Sequence, residues 1–66
     1  MNESELMAEL ARNHLSIPQA AERLGIGKKA FYCKMKGESE FKQSEIKGLK
    51  NLLSLSDKRI SEIFFA

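Results

Sequence analysis

The sequence is poor in the features that mark secreted, metal-binding or membrane-spanning chains. It holds one cysteine, Cys33, so no internal disulfide can form, which favours a reducing, cytoplasmic setting. It holds one histidine, His14, with no carboxylate or cysteine at a spacing that would make a ligand set or a catalytic pair. No Cys/His cluster suggests zinc, and no phosphate-cradling loop or nucleophile–base pair is present. An enzyme is therefore not expected, and neither is a metal or other cofactor. No apolar run approaches the length of a membrane span, and the acidic N-terminus is unlike a signal peptide. Strand-like alternation, internal repeats, linkers and low-complexity segments are also missing. What remains is a chain of 66 residues with 42% apolar content, enough for one domain spanning 1–66 around one core.

Net charge is only +2, so composition alone does not point to a polyanion. The distribution says more. Residues 1–10 carry three glutamates and no base, whereas residues 28–36 carry four lysines and no acid. Separation of sign over so short a chain argues for a basic face.

Helical spacing and capping signals divide the chain into five short helices. Asn2-Glu3-Ser4-Glu5 has the form of a capping box, and Leu6, Met7, Leu10 and Ala11 then recur at helical spacing, predicting a helix from about 3 to 13. Asn13-His14 is its expected stop. Ser16-Ile17-Pro18-Gln19 starts a second helix, with proline in the first turn and Gln19 closing the box. Ala20, Ala21 and Leu24 share a face of it, and Gly25 ends it. Glu38 to Phe41 reads as a loop with Phe41 as an apolar plug. Ile46, Leu49, Leu52 and Leu53 mark the fourth helix, whose N-cap is Lys42, a poor one, or Ser44. Gly48 inside it reflects either another backbone passing close or an indifferent solvent position. Ser56-Asp57 opens the fifth helix, with Ile60, Ile63 and Phe64 on its apolar face.

The third helix is the centre of the chain's chemistry. Gly25 and Gly27 bracket a tight turn, and Gly37 closes the helix that follows. Phe31 and Met35 are four apart and can anchor one face, leaving the lysines and Tyr32 to point elsewhere. A small basic helix behind a glycine turn has the geometry of a DNA recognition helix.

With the helices placed, residues 17–37 resemble the helix-turn-helix of the lambda-repressor/Cro (Xre-like) family. Ala21, Gly25, Ile26, Phe31 and Gly37 stand at the family's spacing. Ala21 takes the crossing point where only a small residue fits, and Leu24, Ile26 and Phe31 fill the space between the two helices. One helix before the motif and two after it extend the resemblance over nearly the whole chain. The Tyr-x-Lys-x-Lys-Gly end of the third helix and the tail ending Ile63-Phe64-Phe65 are similar to small regulators of Gram-positive phages, more like Cro than a two-domain repressor. Two positions depart from the pattern. Ile17-Pro18 stands where the family often places a phosphate-contacting glutamine, and Lys34 takes a position that is apolar in many members.

The resemblance implies an all-α, lambda-repressor-like domain acting as a cytoplasmic transcription regulator, nucleoid-associated when bound to a double-stranded operator. It makes Lys28 and Lys29 the positions for base readout, with Tyr32 and Cys33 one turn on; the plainer alternative is contact with phosphate or solvent alone. Lys34, Lys36 and Lys42 are expected at phosphates, with Ser16 and Gln19 beside the second helix's N-terminus. A homodimer, formed in solution or only on DNA, is expected through Ile60, Ile63, Phe64 and Phe65. Adjacent phenylalanines cannot share one helical face, so either one of Phe64 and Phe65 is exposed or both fold back on the first helix. The other class of function is a protein-interaction module on the same scaffold, such as an antitoxin or antirepressor.

Overall fold

Side-chain caps and left-handed glycines set most of the helix boundaries. The computed structural model describes residues 1–65, and five helices occupy them: α1 (Glu3–Arg12), α2 (Ile17–Leu24), α3 (Lys28–Met35), α4 (Gln43–Leu53) and α5 (Asp57–Phe64). Asn2 accepts from the Glu5 N–H at the start of α1. Ser16 and Gln19 form a reciprocal capping box at α2, and Ser56 accepts from the Arg59 N–H at α5. Each such cap satisfies backbone donors that the first helical turn leaves unpaired. α2 ends at Gly25, whose φ of 73° lies in the left-handed region that glycine enters at little cost.

The start of α4 resolves the choice between Lys42 and Ser44. Lys42 occupies the N-cap position, and the missing side-chain acceptor is replaced from within the helix: Glu45 accepts from the Lys42 N–H at 2.8 Å. Ser44 is an ordinary first-turn residue. α1 likewise departs from its apolar repeat. Leu6 and Leu10 are buried as expected, but Met7 and Ala11 stay exposed and Glu9 takes the inward place.

The helices close around Leu6, Leu10, Ala21, Phe31, Leu49 and Ile63, none more than 1% exposed. α2 packs on both α3 and α4, and α1 packs on α5. The ends of the described chain meet where the Asn2 N–H donates to the Ile63 carbonyl at 2.6 Å. Phe41 plugs the loop between α3 and α4, edge-on to Phe31 at 5.4 Å and to Phe64 at 5.5 Å. Gly48 marks a close approach of a side chain: a Cβ there would lie 2.8 Å from Leu24 Cδ2 of α2.

Ala21 is 1% exposed on α2, the helix that packs on both α3 and α4. Ala21→Leu is expected to destabilise the domain by about 1–3 kcal/mol through overpacking. Thermal melting of variant and parent is the check, and an unchanged Tm would mean the crossing has room to spare.

Candidate nucleic-acid interface

The two faces of α3 differ sharply in character. Phe31 and Met35 are buried and hold the helix to the core. At about 3.6 residues per turn, Cys33 falls opposite the midpoint of Phe31 and Met35, with Lys29 and Lys36 beside it, Tyr32 on the flank and Lys28 near the phase of Met35 in the first turn. Lys28, Lys29, Tyr32 and Lys36 are exposed, whereas Cys33 is half-buried with a free thiol. The Lys36 ammonium sits over the Tyr32 ring, 5.6 Å from its centroid, and 3.8 Å from Glu3 at the edge of α1. No acidic side chain belongs to α3. Lys28 and Lys29 make no ion pair among the described residues, so their ammonium groups are available to a ligand.

The sequence places Lys34 among the phosphate contacts, and the structure corrects this. Lys34 lies on the flank of α3 beside Phe31 and is half-buried. Its Nζ donates to both oxygens of Glu45, at 2.6 and 2.7 Å, with the two side chains only 13% and 10% exposed. Two of its three donors are thus taken by Glu45, and little of the side chain is open to solvent. The Lys34 ammonium, followed by the Lys42 backbone N–H, draws the Glu45 carboxyl below its usual range against the opposing effect of burial. The pair fixes the far end of α3 to the start of α4.

Ser16 and Gln19 are exposed at the N-terminus of α2, but each is engaged with the other in the capping box. The Gln19 Oε1 accepts from the Ser16 N–H at 2.8 Å and the Ser16 Oγ accepts from the Gln19 N–H at 3.3 Å, so the Gln19 amide donors are the groups not used by the cap. Lys42 is exposed at the head of α4 and makes no ion pair among the described residues. Arg23, Lys47 and Lys58, which the sequence pattern did not single out, share that state.

The expected dimer strip also divides. Ile60 is 8% exposed and Ile63 is 0% exposed, so both belong to the core and cannot form a surface. Phe64 is half-buried against Phe41. Phe65 alone is open, at 70% exposure. Sequence periodicity groups these residues on one apolar helix face but does not show that α1 and the Phe41 loop already cover part of it.

One charged cluster escaped sequence reasoning. Arg59 of α5 donates to Glu9 at 2.6 Å, to Glu62 at 3.2 Å and to Glu5, and Glu9 also accepts from Arg12 at 2.8 Å. Arg59, then burial in opposition, then Arg12 shape the Glu9 carboxyl, with the net effect of holding it below its usual range. The cluster joins α1 to α5 on charges that would otherwise be free. The repeat of Leu6, Met7, Leu10 and Ala11 gave no hint of it, since that repeat puts Glu9 on the far side of the helix. Among the described residues no group of three or more His, Cys, Asp or Glu side chains could hold a metal ion, and no helix is long and apolar enough to cross a membrane.

No protein-family model matches the chain, and no curated protein or solved structure matches it either.

Proposed function

We propose that the chain is a sequence-specific DNA-binding regulator of the lambda-repressor/Cro type, of phage or prophage origin, acting in the cytoplasm by occupying an operator. α3 enters the major groove, with Lys28 and Lys29 at base edges and Lys36 and Lys42 at phosphates. The observation that carries the reading is the outward face of α3. It presents Lys28, Lys29, Tyr32 and Lys36 with no acid from α3 itself, Glu3 of α1 reaching Lys36 at 3.8 Å, behind a left-handed glycine turn that joins it to α2. Anions on the chain support this arrangement. Glu5, Glu9, Glu45, Asp57 and Glu62 are paired with Arg12, Lys34, Lys50 or Arg59, away from that face.

Titration of duplex DNA at several salt concentrations tests the proposal. Each lysine that neutralises a phosphate releases counterions and contributes roughly 0.9 to the slope of log affinity against log salt. Lys36→Ala is expected to weaken operator and random DNA alike and to reduce that slope by about one. A salt-independent or undetectable interaction with duplex DNA would reject the reading.

The exposed Phe65 favours a protein partner, and the same proposal assigns it to a homodimer contact that aligns two recognition helices on a pseudo-palindrome. Pairing raises affinity through effective concentration without new base contacts. Phe65→Ser is expected to leave the fold intact and abolish cooperative operator binding, as read by sedimentation and by titration of one-half-site and two-half-site duplexes. Equal cooperativity in variant and parent would remove Phe65 from the interface. An antitoxin or antirepressor role is the competing use of that phenylalanine, and it predicts no salt-dependent DNA binding.

A further inference from the structure

The side chains on the outward face of α3 are rich in donors and lack strong acceptors, and that limits which bases they can read. Building on the DNA-binding proposal, we infer that the chain selects guanine: Lys28 and Lys29 donate to the O6 and N7 acceptors of guanines in the major groove, and no base is chosen through a side-chain carboxamide or carboxylate. α3 contains no Asn, Gln, Asp or Glu. Reading adenine by a bidentate contact needs a carboxamide, which offers one donor and one acceptor, and reading cytosine needs an acceptor for its amino group. The carboxamide of α2 belongs to Gln19, and its oxygen is already occupied by the Ser16 N–H at 2.8 Å. Lys34 is withdrawn into its pair with Glu45, and Lys36 lies over Tyr32 near the other end of the helix. The base-reading donors therefore reduce to Lys28 and Lys29, both exposed in the first turn of α3.

The preference follows from matching donors to acceptors. A lysine ammonium carries three donors and no acceptor. Guanine offers two acceptors on one major-groove edge. Thymine offers one, adenine offers N7 alone beside an amino donor that an ammonium cannot pair with, and cytosine offers only such a donor. Tyr32 lies one turn beyond Lys28, 43% exposed, and supplies an apolar surface for a neighbouring thymine methyl.

The test begins with selection of bound duplexes from a random pool. The selected half-site is then remade with 7-deazaguanine, which lacks the N7 acceptor, or with inosine, which loses only the minor-groove amino group. The expected result is a loss of about 5- to 150-fold with 7-deazaguanine at the contacted position and little change with inosine. The Lys28→Met/Lys29→Met variant should bind the guanine and 7-deazaguanine duplexes equally, a coupling that a merely structural role for these lysines would not produce. Selected sites without guanine, or full affinity for the 7-deazaguanine duplex, would overturn guanine selection while leaving DNA binding intact. Failure to retain any duplex in a salt-dependent manner would instead overturn the DNA-binding proposal, and guanine selection with it.

Discussion

Replacing Lys34 by alanine is expected to cost the domain about 3–5 kcal/mol, because it leaves the Glu45 carboxylate buried without its partner. The geometry makes the loss large. Glu45 receives two hydrogen bonds from Lys34 and one from the Lys42 N–H, and it is 8% exposed. Total stability for small domains is of the order of 5 kcal/mol, so Lys34→Ala should be largely unfolded at room temperature. The compensated variant separates the charge from the packing. Lys34→Met/Glu45→Gln keeps a neutral acceptor for the Lys42 N–H and fills the lysine's place with an unbranched apolar chain. It should recover most of the parent's stability, since a buried ion pair replaced as a unit is often nearly neutral. Circular dichroism melts of the parent, Lys34→Ala and the double variant decide the matter, and a Lys34→Ala melt within a few degrees of the parent would show the pair to be dispensable.

The same pair sets part of the acid stability. Its folded-state carboxyl lies below the ordinary value of 4.5, so ionisation favours the fold. That contribution is complete above about pH 4.5 and is lost as pH falls through the depressed folded value. Glu45→Gln removes it and should flatten the acid limb of a stability–pH curve. Glu9, held down chiefly by Arg59, supplies a second contribution of the same sign that Glu45→Gln leaves in place.

The contrast between local and distant interactions explains what could be read from the residues alone. Asn2, Ser16, Gly25, Gly37 and Ser56 act on backbone groups within a few positions of themselves, so the helix boundaries they control were legible. The outward direction of Lys29 and Lys36 was also legible, because Phe31 and Met35 define the inward face four residues apart; Lys28 lies close to Met35 in phase, and its exposure in the first turn did not follow from periodicity. Pairings across the fold were not. Lys34 meets Glu45 eleven positions away, and Arg59 meets Glu5 and Glu9 more than fifty positions away. Such contacts depend on where whole helices sit, which neither charge nor periodicity specifies. Phase gave no warning of them: Lys34 lies on a flank of α3 and Glu9 on the far side of the Leu6–Ala11 repeat, yet both are largely buried, where an unpaired charge would be costly. The burial of Ile60 and Ile63 has the same origin. Their helix face is plainly apolar, but which parts of it the rest of the chain covers is a question of tertiary placement.

That placement depends most heavily on one ring. Phe31 is 0% exposed and the largest fully buried side chain of the described residues. It meets Phe41 at an interplanar angle of 76°, and Phe41 meets Phe64 at 83°, so edge-to-face contacts run from α3 through the connecting loop to α5. Each such contact adds about 0.5–1.5 kcal/mol beyond the area it buries. Phe31→Ala would remove the ring and leave a cavity between α3 and the rest of the core, for a cost of about 3–5 kcal/mol. We expect no cooperative thermal transition from this variant. Phe31→Leu keeps most of the volume and should fold with a lower Tm, losing roughly 1–2 kcal/mol to imperfect shape and the missing aromatic contact. The pair of variants also tests what α3 needs for binding. In Phe31→Leu the lysines remain on a helix anchored by Met35, so DNA affinity corrected for the folded fraction should fall far less than stability does. Cooperative melting of Phe31→Ala close to the parent would show that Met35 and the Lys34–Glu45 pair hold α3 in place without the aromatic anchor.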